Sequence, residues 1–248
     1  MLTTKPVSPD ARPKRTLALL LAGSLTLGSG LWFWQYSDDS FAWAAEAVVI
    51  APPVQDIPAS GANQAIAIFA GGCFWGVEGV FQHVQGVRQV LSGYAGGTAN
   101  SARYSAVSSG RTGHAEAVEV TFDPEQVSYG TLLQIFFSVA HDPTELNRQG
   151  PDVGTQYRSA IFPVDTLQQQ VAQAYIAQLD AGHAYRRPIV TRIENNTGFY
   201  PAETYHQDFL AKNPHHPYIV TNDLPKIAQL KQLFPQRYRE TPVLGTSP

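Results

Sequence analysis

The chain has one cysteine, Cys73, in the stretch "GGCFWG" (71–76). A thiol works as a nucleophile when it ionises, and a start of helix after a tight turn favours ionisation through unpaired N–H groups and the helix dipole. A core position is the commoner fate of a free cysteine. A double glycine leading into a helix is a poor place for inert filler, so the reactive reading is preferred. The segment "HAEAVEVTF" (114–122) brings a carboxyl into question. Strand alternation puts His114, Glu116, Val118, Val120 and Phe122 on one face, and Ala115, Ala117, Glu119 and Thr121 on the other. Glu119 is then an ordinary solvated carboxylate. Glu116 shares an apolar face, where burial raises a carboxyl pKa towards that of a general acid, unless a salt bridge or the strand end relieves it. Tyr94, Tyr104 and Tyr157 fall in or beside loops or strand ends and can each donate a phenolic hydrogen bond to an oxyanion, although packing alone accounts for any one of them. Asp152, in "GPDVGTQY", is either a turn residue or one that orients a water or hydroxyl.

These residues need elements to hold them. "AIAIFA" (65–70) reads as a buried strand ended by Gly71-Gly72, and residues 73–84 as a helix with Phe74, Val77, Val80, Phe81 and Val84 on one stripe. Adjacent helical residues diverge by about 100°, so Phe74 joins the core and Trp75 turns elsewhere, as a wall beside the thiol suited to a small apolar or soft group. Further strands are expected over 87–97, 114–123, 157–163 and 188–194. Helices are expected over 128–140, capped by Ser128, over 166–180, and, closing the domain, over Pro201–Lys212 and Leu224–Phe234. Strand, helix, strand, strand, helix, strand is the order of an α+β, two-layer ferredoxin-like (split βαβ) sandwich, here with additional C-terminal helices.

Composition narrows the function classes. A hydrophobic fraction of 44 % and a charged fraction of 15 % suit a packed domain, and a net charge of −3 without Lys/Arg clusters argues against a nucleic-acid partner. One cysteine permits neither an internal disulfide nor a multi-thiolate metal site, and the adjacent His215-His216 lack ligand spacing, so no metal and no bound cofactor are expected. Arg12, Lys14 and Arg15 precede an uncharged run from Thr16 to Trp34. Residues 1–44 therefore read as a signal peptide, cleaved at the small-x-small Ala42-Trp43-Ala44, or as a signal anchor through residues 16–36. Asp38 and Asp39 after the run put the domain across the membrane, periplasmic or lumenal, under either reading. Residues 45–63, rich in Ala, Pro and Ser, read as a linker, and 64–248 as the catalytic domain with an irregular C-terminal tail.

Five stretches in order, "GGCFWGVE", "GYAGG", "GHAEAV", "HDPTELNRQGPDVGTQYRSAIF" and "FYPAETYHQDFL", resemble the A-type peptide methionine sulfoxide reductases over roughly residues 66 to 216. The resemblance implies reduction of the S epimer of methionine sulfoxide, free or in oxidised proteins, by a monomer. It implies that Cys73 attacks the sulfoxide sulfur, and that Glu116, Tyr104 and Tyr157 bind and protonate the oxygen. Phe74 and Trp75 hold the methyl group, and Asp152 lies near the site. Tyr94 and His206 border the substrate pocket, and Cys73 is left as a sulfenic acid. Many relatives carry recycling cysteines in the C-terminal tail. Here "PQRYRETPVLGTSP" has none, so an external thiol donor, thioredoxin-, glutaredoxin- or glutathione-like, must resolve the sulfenic acid. Ser108-Ser109-Gly110 stands where some relatives read Cys-Ser-Gly, and Pro151 replaces a usual Asn; neither is a residue assigned to the chemistry.

Two rivals remain at this level. A cysteine hydrolase would pair Cys73 with His114, His141 or His206 as base. A binding module would use the aromatics and leave the thiol incidental.

Overall fold

The computed structural model describes residues 50–59 and 61–245, so the expected targeting segment lies outside the described residues. The elements, in chain order, are β1 (Ala65–Gly71), α1 (Phe74–Gln82), β2 (Val87–Ala95), α2 (Tyr104–Val107), β3 (Ala115–Phe122), α3 (Tyr129–Ile135), β4 (Arg148–Gln149), β5 (Asp152–Val153), β6 (Ser159–Ile161), α4 (Thr166–Ala181), β7 (Arg192–Ile193), β8 (Phe199–Pro201), α5 (Phe209–Lys212) and α6 (Leu224–Leu233). One mixed sheet runs in the order β7-β6-β1-β3-β2-β8, antiparallel throughout except for the β6–β7 pair. β4 and β5 form a separate hairpin.

Strand alternation sorts the core into two. Ala67 and Phe69 of β1, Val90 of β2, and Val118, Val120 and Phe122 of β3 join one large cluster with α1, α3 and α4. Ile68, Ala70, Ala95, Ala115, Ala117, Ala160 and Phe162 form a small-residue cluster on the opposite face. That second cluster corrects the expectation for Glu119. It is partly buried on this face, and burial raises its pKa, so it is not an ordinary solvated carboxylate. Each large apolar side chain closed into the main cluster contributes roughly 1.5–3 kcal/mol.

Helix α1 carries the expected stripe, and its polar side is buried as well, Glu78 and Gln82 both at 0 % exposure. The reason is the C-terminal region, which covers that side. Gln82 Nε2 donates to Asp208 Oδ1 at 2.8 Å, and Asp208 N–H donates to Glu78 Oε2 at 3.0 Å. Ser128 caps α3 as expected, accepting from Thr131 N–H at 3.1 Å, but the helix passes into a π-helical turn at Phe136–Ala140. The expected helix Pro201–Lys212 is instead a strand end, a 3₁₀ turn (Thr204–His206) and the short α5. β8 pairs with β2, which gives those residues a tertiary partner that local pattern does not reveal. The expected strand 188–194 contracts to two residues. The described stretch before the domain is held in place: Ile50 is buried, and Asp56 accepts from Gly130 N–H at 2.7 Å.

Candidate active site

Cys73 is the N-cap of α1, reached from β1 through Gly72 at φ +90°. Only glycine fits there, since a Cβ would lie 2.5 Å from Cβ and Cγ of Gln149 as well as facing a disfavoured backbone conformation. Glu116 lies on β3 directly opposite Tyr94 of β2 and is 2 % exposed. Its Oε2 accepts the Phe74 N–H at 3.1 Å, so the carboxyl sits on the first free donor after the cysteine. Burial pushes its pKa up to about 8; the Phe74 N–H opposes this, and Asp152 adds to it. Burial thus favours the neutral form of this carboxyl at neutral pH.

The thiol departs from expectation. Burial raises the Cys73 pKa well above its ordinary value, the nearby carboxyls of Glu116, Asp223 and Asp152 raise it further, and only the Trp75 N–H works the other way. The helix start is real, but one donor does not outweigh desolvation and three acidic neighbours. Cys73 therefore rests as a neutral thiol.

Tyr104 opens α2, and Tyr157 ends the 3₁₀ turn Thr155–Tyr157. Burial raises the pKa of each, and each feels the charges of Glu116 and Cys73, which places both hydroxyls in the same electrostatic neighbourhood. Asp152, on β5, accepts a short hydrogen bond from the Tyr218 hydroxyl. Burial raises the Asp152 pKa against that bond and the charge of Lys226.

The aromatic wall is built as a stack. Trp75 is half-buried, parallel to Phe209 with ring centroids 3.7 Å apart, and edge-on to Tyr218. Its indole N–H donates to His206 Nδ1 at 3.2 Å. His206 is 2 % exposed and packs against Phe74 and Tyr104, its ring centres 5.0 and 4.6 Å from theirs. Burial lowers its pKa and Glu203 opposes, so the ring is neutral with its proton on Nε2. Tyr94 is a correction. It is fully buried between Phe74 and His114, and its hydroxyl donates to Glu203 Oε2 at 2.8 Å, so it supports the site from behind rather than facing a substrate.

Sequence reasoning missed Tyr218, Phe209 and the Asp223–Lys226 pair, and it placed Glu203 only within a stretch bordering the pocket. Glu203 ties two parts of the site together, since Oε1 also accepts the Tyr104 N–H at 2.9 Å. Asp223 is fully buried against the first turn of α1, where a Cβ on Gly76 would lie 2.0 Å from its Oδ1. Glu203 and Phe209 lie in the quoted stretch "FYPAETYHQDFL" and Lys226 in the expected helix, but nothing local shows that these side chains, Tyr218 or Asp223 turn towards Cys73.

His114 and His141 are engaged away from Cys73. His114 accepts from Gly97 N–H and bonds the Thr98 carbonyl, pinning a loop. His141 is held between the Phe136 carbonyl and the Ser159 hydroxyl, with burial pulling its pKa down to about 4. A neutral thiol beside a protonated carboxyl, with phenols and an aromatic wall, can deliver a proton to an oxygen as the sulfur attacks a soft centre.

The family model for peptide methionine sulfoxide reductase matches residues 65–238. Peptide methionine sulfoxide reductase MsrA 2 of Mesorhizobium japonicum is 65 % identical over 181 residues, covering 73 % of this chain and 93 % of that protein. The MsrA 2 protein of Synechocystis is 53 % identical over 194 residues, covering 77 % and 91 %. Among solved structures, reduced Mxr1 from Saccharomyces cerevisiae aligns with TM-score 0.55 and 32 % identity over 64 % of this chain and 91 % of that one. Methionine sulfoxide reductase A of Corynebacterium diphtheriae aligns with TM-score 0.53 and 32 % identity over 73 % and 92 %. With its sole cysteine at the helix start, Glu116 bonded to the next backbone N–H, and the family model and these relatives matched, the chain belongs to the peptide methionine sulfoxide reductase family.

Proposed function

We propose that this protein repairs oxidised proteins by reducing methionine S-sulfoxide, in polypeptides or free, to methionine. The observation that carries this reading is the buried Glu116 carboxyl, protonated at neutral pH and held against the backbone of the residue following Cys73. The sulfoxide oxygen is bound by Glu116, Tyr104 and Tyr157, and the methyl group lies against Phe74 and Trp75, the latter fixed by Phe209 and His206. Glu116 donates its proton to the oxygen as Cys73 Sγ attacks the sulfoxide sulfur, and the resulting carboxylate takes the thiol proton. Oxygen passes to Cys73, methionine leaves, and Glu116 is protonated again. No net charge is created in a site that desolvates charge heavily, which is why a neutral thiol and a neutral acid suit each other here.

Cys73 is the only cysteine, so the sulfenic acid is returned to the thiol by an external thiol, and thioredoxin-, glutaredoxin- and glutathione-like donors all fit that chemistry. The four central strands, in the order β6-β1-β3-β2 with every neighbour antiparallel, support a split βαβ, ferredoxin-like reading of the core. The protein acts as a monomer on this reading. Export by the N-terminal segment is supported by its basic flank and uncharged run. Among the described residues no helix is long and apolar enough to cross a membrane, and residues 16–36 lie outside them. Cell fractionation with N-terminal sequencing tests export and cleavage together.

The central test is stoichiometric. The S-sulfoxide of a blocked methionine, supplied without reductant, releases close to one methionine per chain and leaves a sulfenic acid on Cys73. Cys73→Ser releases none while remaining folded. Repeated turnover without reductant, or acylation of Cys73 by an activated ester in place of sulfenic acid formation, overturns the reading.

A further inference from the structure

Cys73 borders a cavity whose lining leaves out the residues assigned to the sulfoxide. A cavity of about 40 Å³ opens on the cysteine between the two π-helical turns, Phe136–Ala140 and Ile219–Asp223, and the β4–β5 hairpin. Ser138, Gln149, Asn222 and Lys226 line it, with Tyr218 at its edge. Glu116, Tyr104, Tyr157, Phe74 and Trp75 do not. The cavity thus reaches the sulfur past a second set of side chains, distinct from those assigned to the sulfoxide.

The walls of this cavity are polar and incompletely satisfied. Ser138 is 5 % exposed, and its hydroxyl has no hydrogen-bond partner among the described residues. Lys226 Nζ holds Asp223 Oδ1 at 3.1 Å and supplies positive charge, while Asp223 Oδ2 is left without a partner. Buried polar groups in native proteins are normally satisfied, so an orphaned hydroxyl on a residue that lines a cavity is a group a polar guest can engage. The volume is that of one or two water molecules, enough for one short side-chain arm.

Resting on the reading that Cys73 becomes a sulfenic acid, we propose that this cavity admits the reducing thiol, a –CH₂–SH arm of a small peptide thiol or of a partner protein's exposed cysteine. Displacement at sulfur is in line: entering sulfur, attacked sulfur and leaving oxygen lie close to one axis. The oxygen arrives on the Glu116 side, because Glu116 protonates it there. The incoming thiolate must then enter from elsewhere, and the Ser138–Asn222–Lys226 cavity is that route. Lys226 offsets part of the negative field of Asp223 and Asp142 at the guest's sulfur, and the proton the guest loses as it attacks replaces the one Glu116 gives to the leaving oxygen. The thiolate sulfur bonds to Cys73 Sγ, the S–O bond breaks, and the oxygen leaves as water with a proton from Glu116. A second thiol attacks the guest's sulfur, releasing Cys73 as a thiol and the two guests as a disulfide. Two thiols are oxidised, one sulfenic acid is reduced and one water forms.

The experiment separates the two half-reactions in the full chain. Asn222→Leu and Ser138→Val fill the cavity from opposite walls, and thermal unfolding confirms that each is folded. Methionine release in a single turnover without thiol is expected within twofold of wild type for both. Reduction of the Cys73 sulfenic acid, followed by dimedone trapping and mass spectrometry, is expected to slow at least tenfold. Reduced glutathione and reduced thioredoxin are run as separate arms, and slowing in one arm or both supports the route and identifies which thiol source uses it. Unchanged reduction in both arms, or methionine release falling in parallel with reduction, overturns the proposal. Absence of methionine release in the wild type counts against the proposed function instead.

Discussion

The Glu116→Gln substitution tests the site most directly. The amide can still accept the Phe74 N–H through its oxygen, so the turn into α1 keeps its bond, but it has no proton to transfer. With a pKa of about 8, roughly nine carboxyls in ten are protonated at pH 7, whereas an ordinary side chain at 4.5 would be protonated about once in three hundred molecules. Burial on β3 thus increases the population of the protonated carboxyl about 300-fold at pH 7, and the full move from 4.5 to about 8 corresponds to a differential stabilisation on the order of 5 kcal/mol. Removing a positioned general acid typically costs 10²–10⁴ in rate. Rapid-quench measurement of methionine release from a blocked S-sulfoxide, without reductant, should therefore fall about 10²-fold or more in Glu116→Gln. The wild-type rate should fall as pH rises through about 8, because the carboxyl loses its proton there while the thiol, held well above its ordinary value, stays protonated. The variant should show no such decline. A rate within threefold of wild type, or a wild-type profile that climbs through pH 9, would show that an ionised thiol rather than a protonated carboxyl limits the chemistry.

Three further outcomes follow from the structure. Glu78 is fully buried, and its pKa is also pushed to about 8 by burial. A carboxyl with a raised folded-state pKa gives stability that is intact below about 4.5 and is lost as pH rises through about 8; urea midpoints should decline over that window, less steeply in Glu78→Gln. Gly72→Ala places a Cβ against Gln149 at a positive φ, and thermal unfolding should report a loss of roughly 1–3 kcal/mol together with slower methionine release as Cys73 is displaced. Arg158, with 7 % of its side chain exposed, binds both carboxylate oxygens of Glu194 at 2.8 Å and reaches the Gly113 carbonyl. Arg158→Met leaves that carboxylate without its partner and should cost about 3 kcal/mol in urea unfolding, with Glu194→Gln costing less.

Some of the site is legible locally, because local geometry is enough to place it. Strand parity alone puts Glu116 on the face of Val118 and Val120, since alternate residues share a face whatever the sheet does next. The glycine pair and the apolar stripe of α1 place Cys73 at a strand-to-helix turn. Helical angle likewise separates Phe74, which enters the core, from Trp75, which does not. Other features depend on chain that arrives much later. The segment after Pro201 looks helical in isolation, yet β2 recruits its start as β8, and Glu203 then ties Tyr94 and Tyr104. Tyr94 looked free to meet a substrate because its hydroxyl partner lies over a hundred residues downstream.

Residue type and local period by themselves singled out which sulfur, which acid and which aromatics are the candidates, and showed no second cysteine in the chain to resolve the first. Tertiary structure alone decided the protonation of those groups. Charge state depends on the water removed and the charges brought near, and at Cys73 both come from β3, the β4–β5 hairpin and the turn before α6. A helix start predicts an anionic thiol; burial with Glu116, Asp223 and Asp152 around it keeps the sulfur neutral until the substrate oxygen arrives.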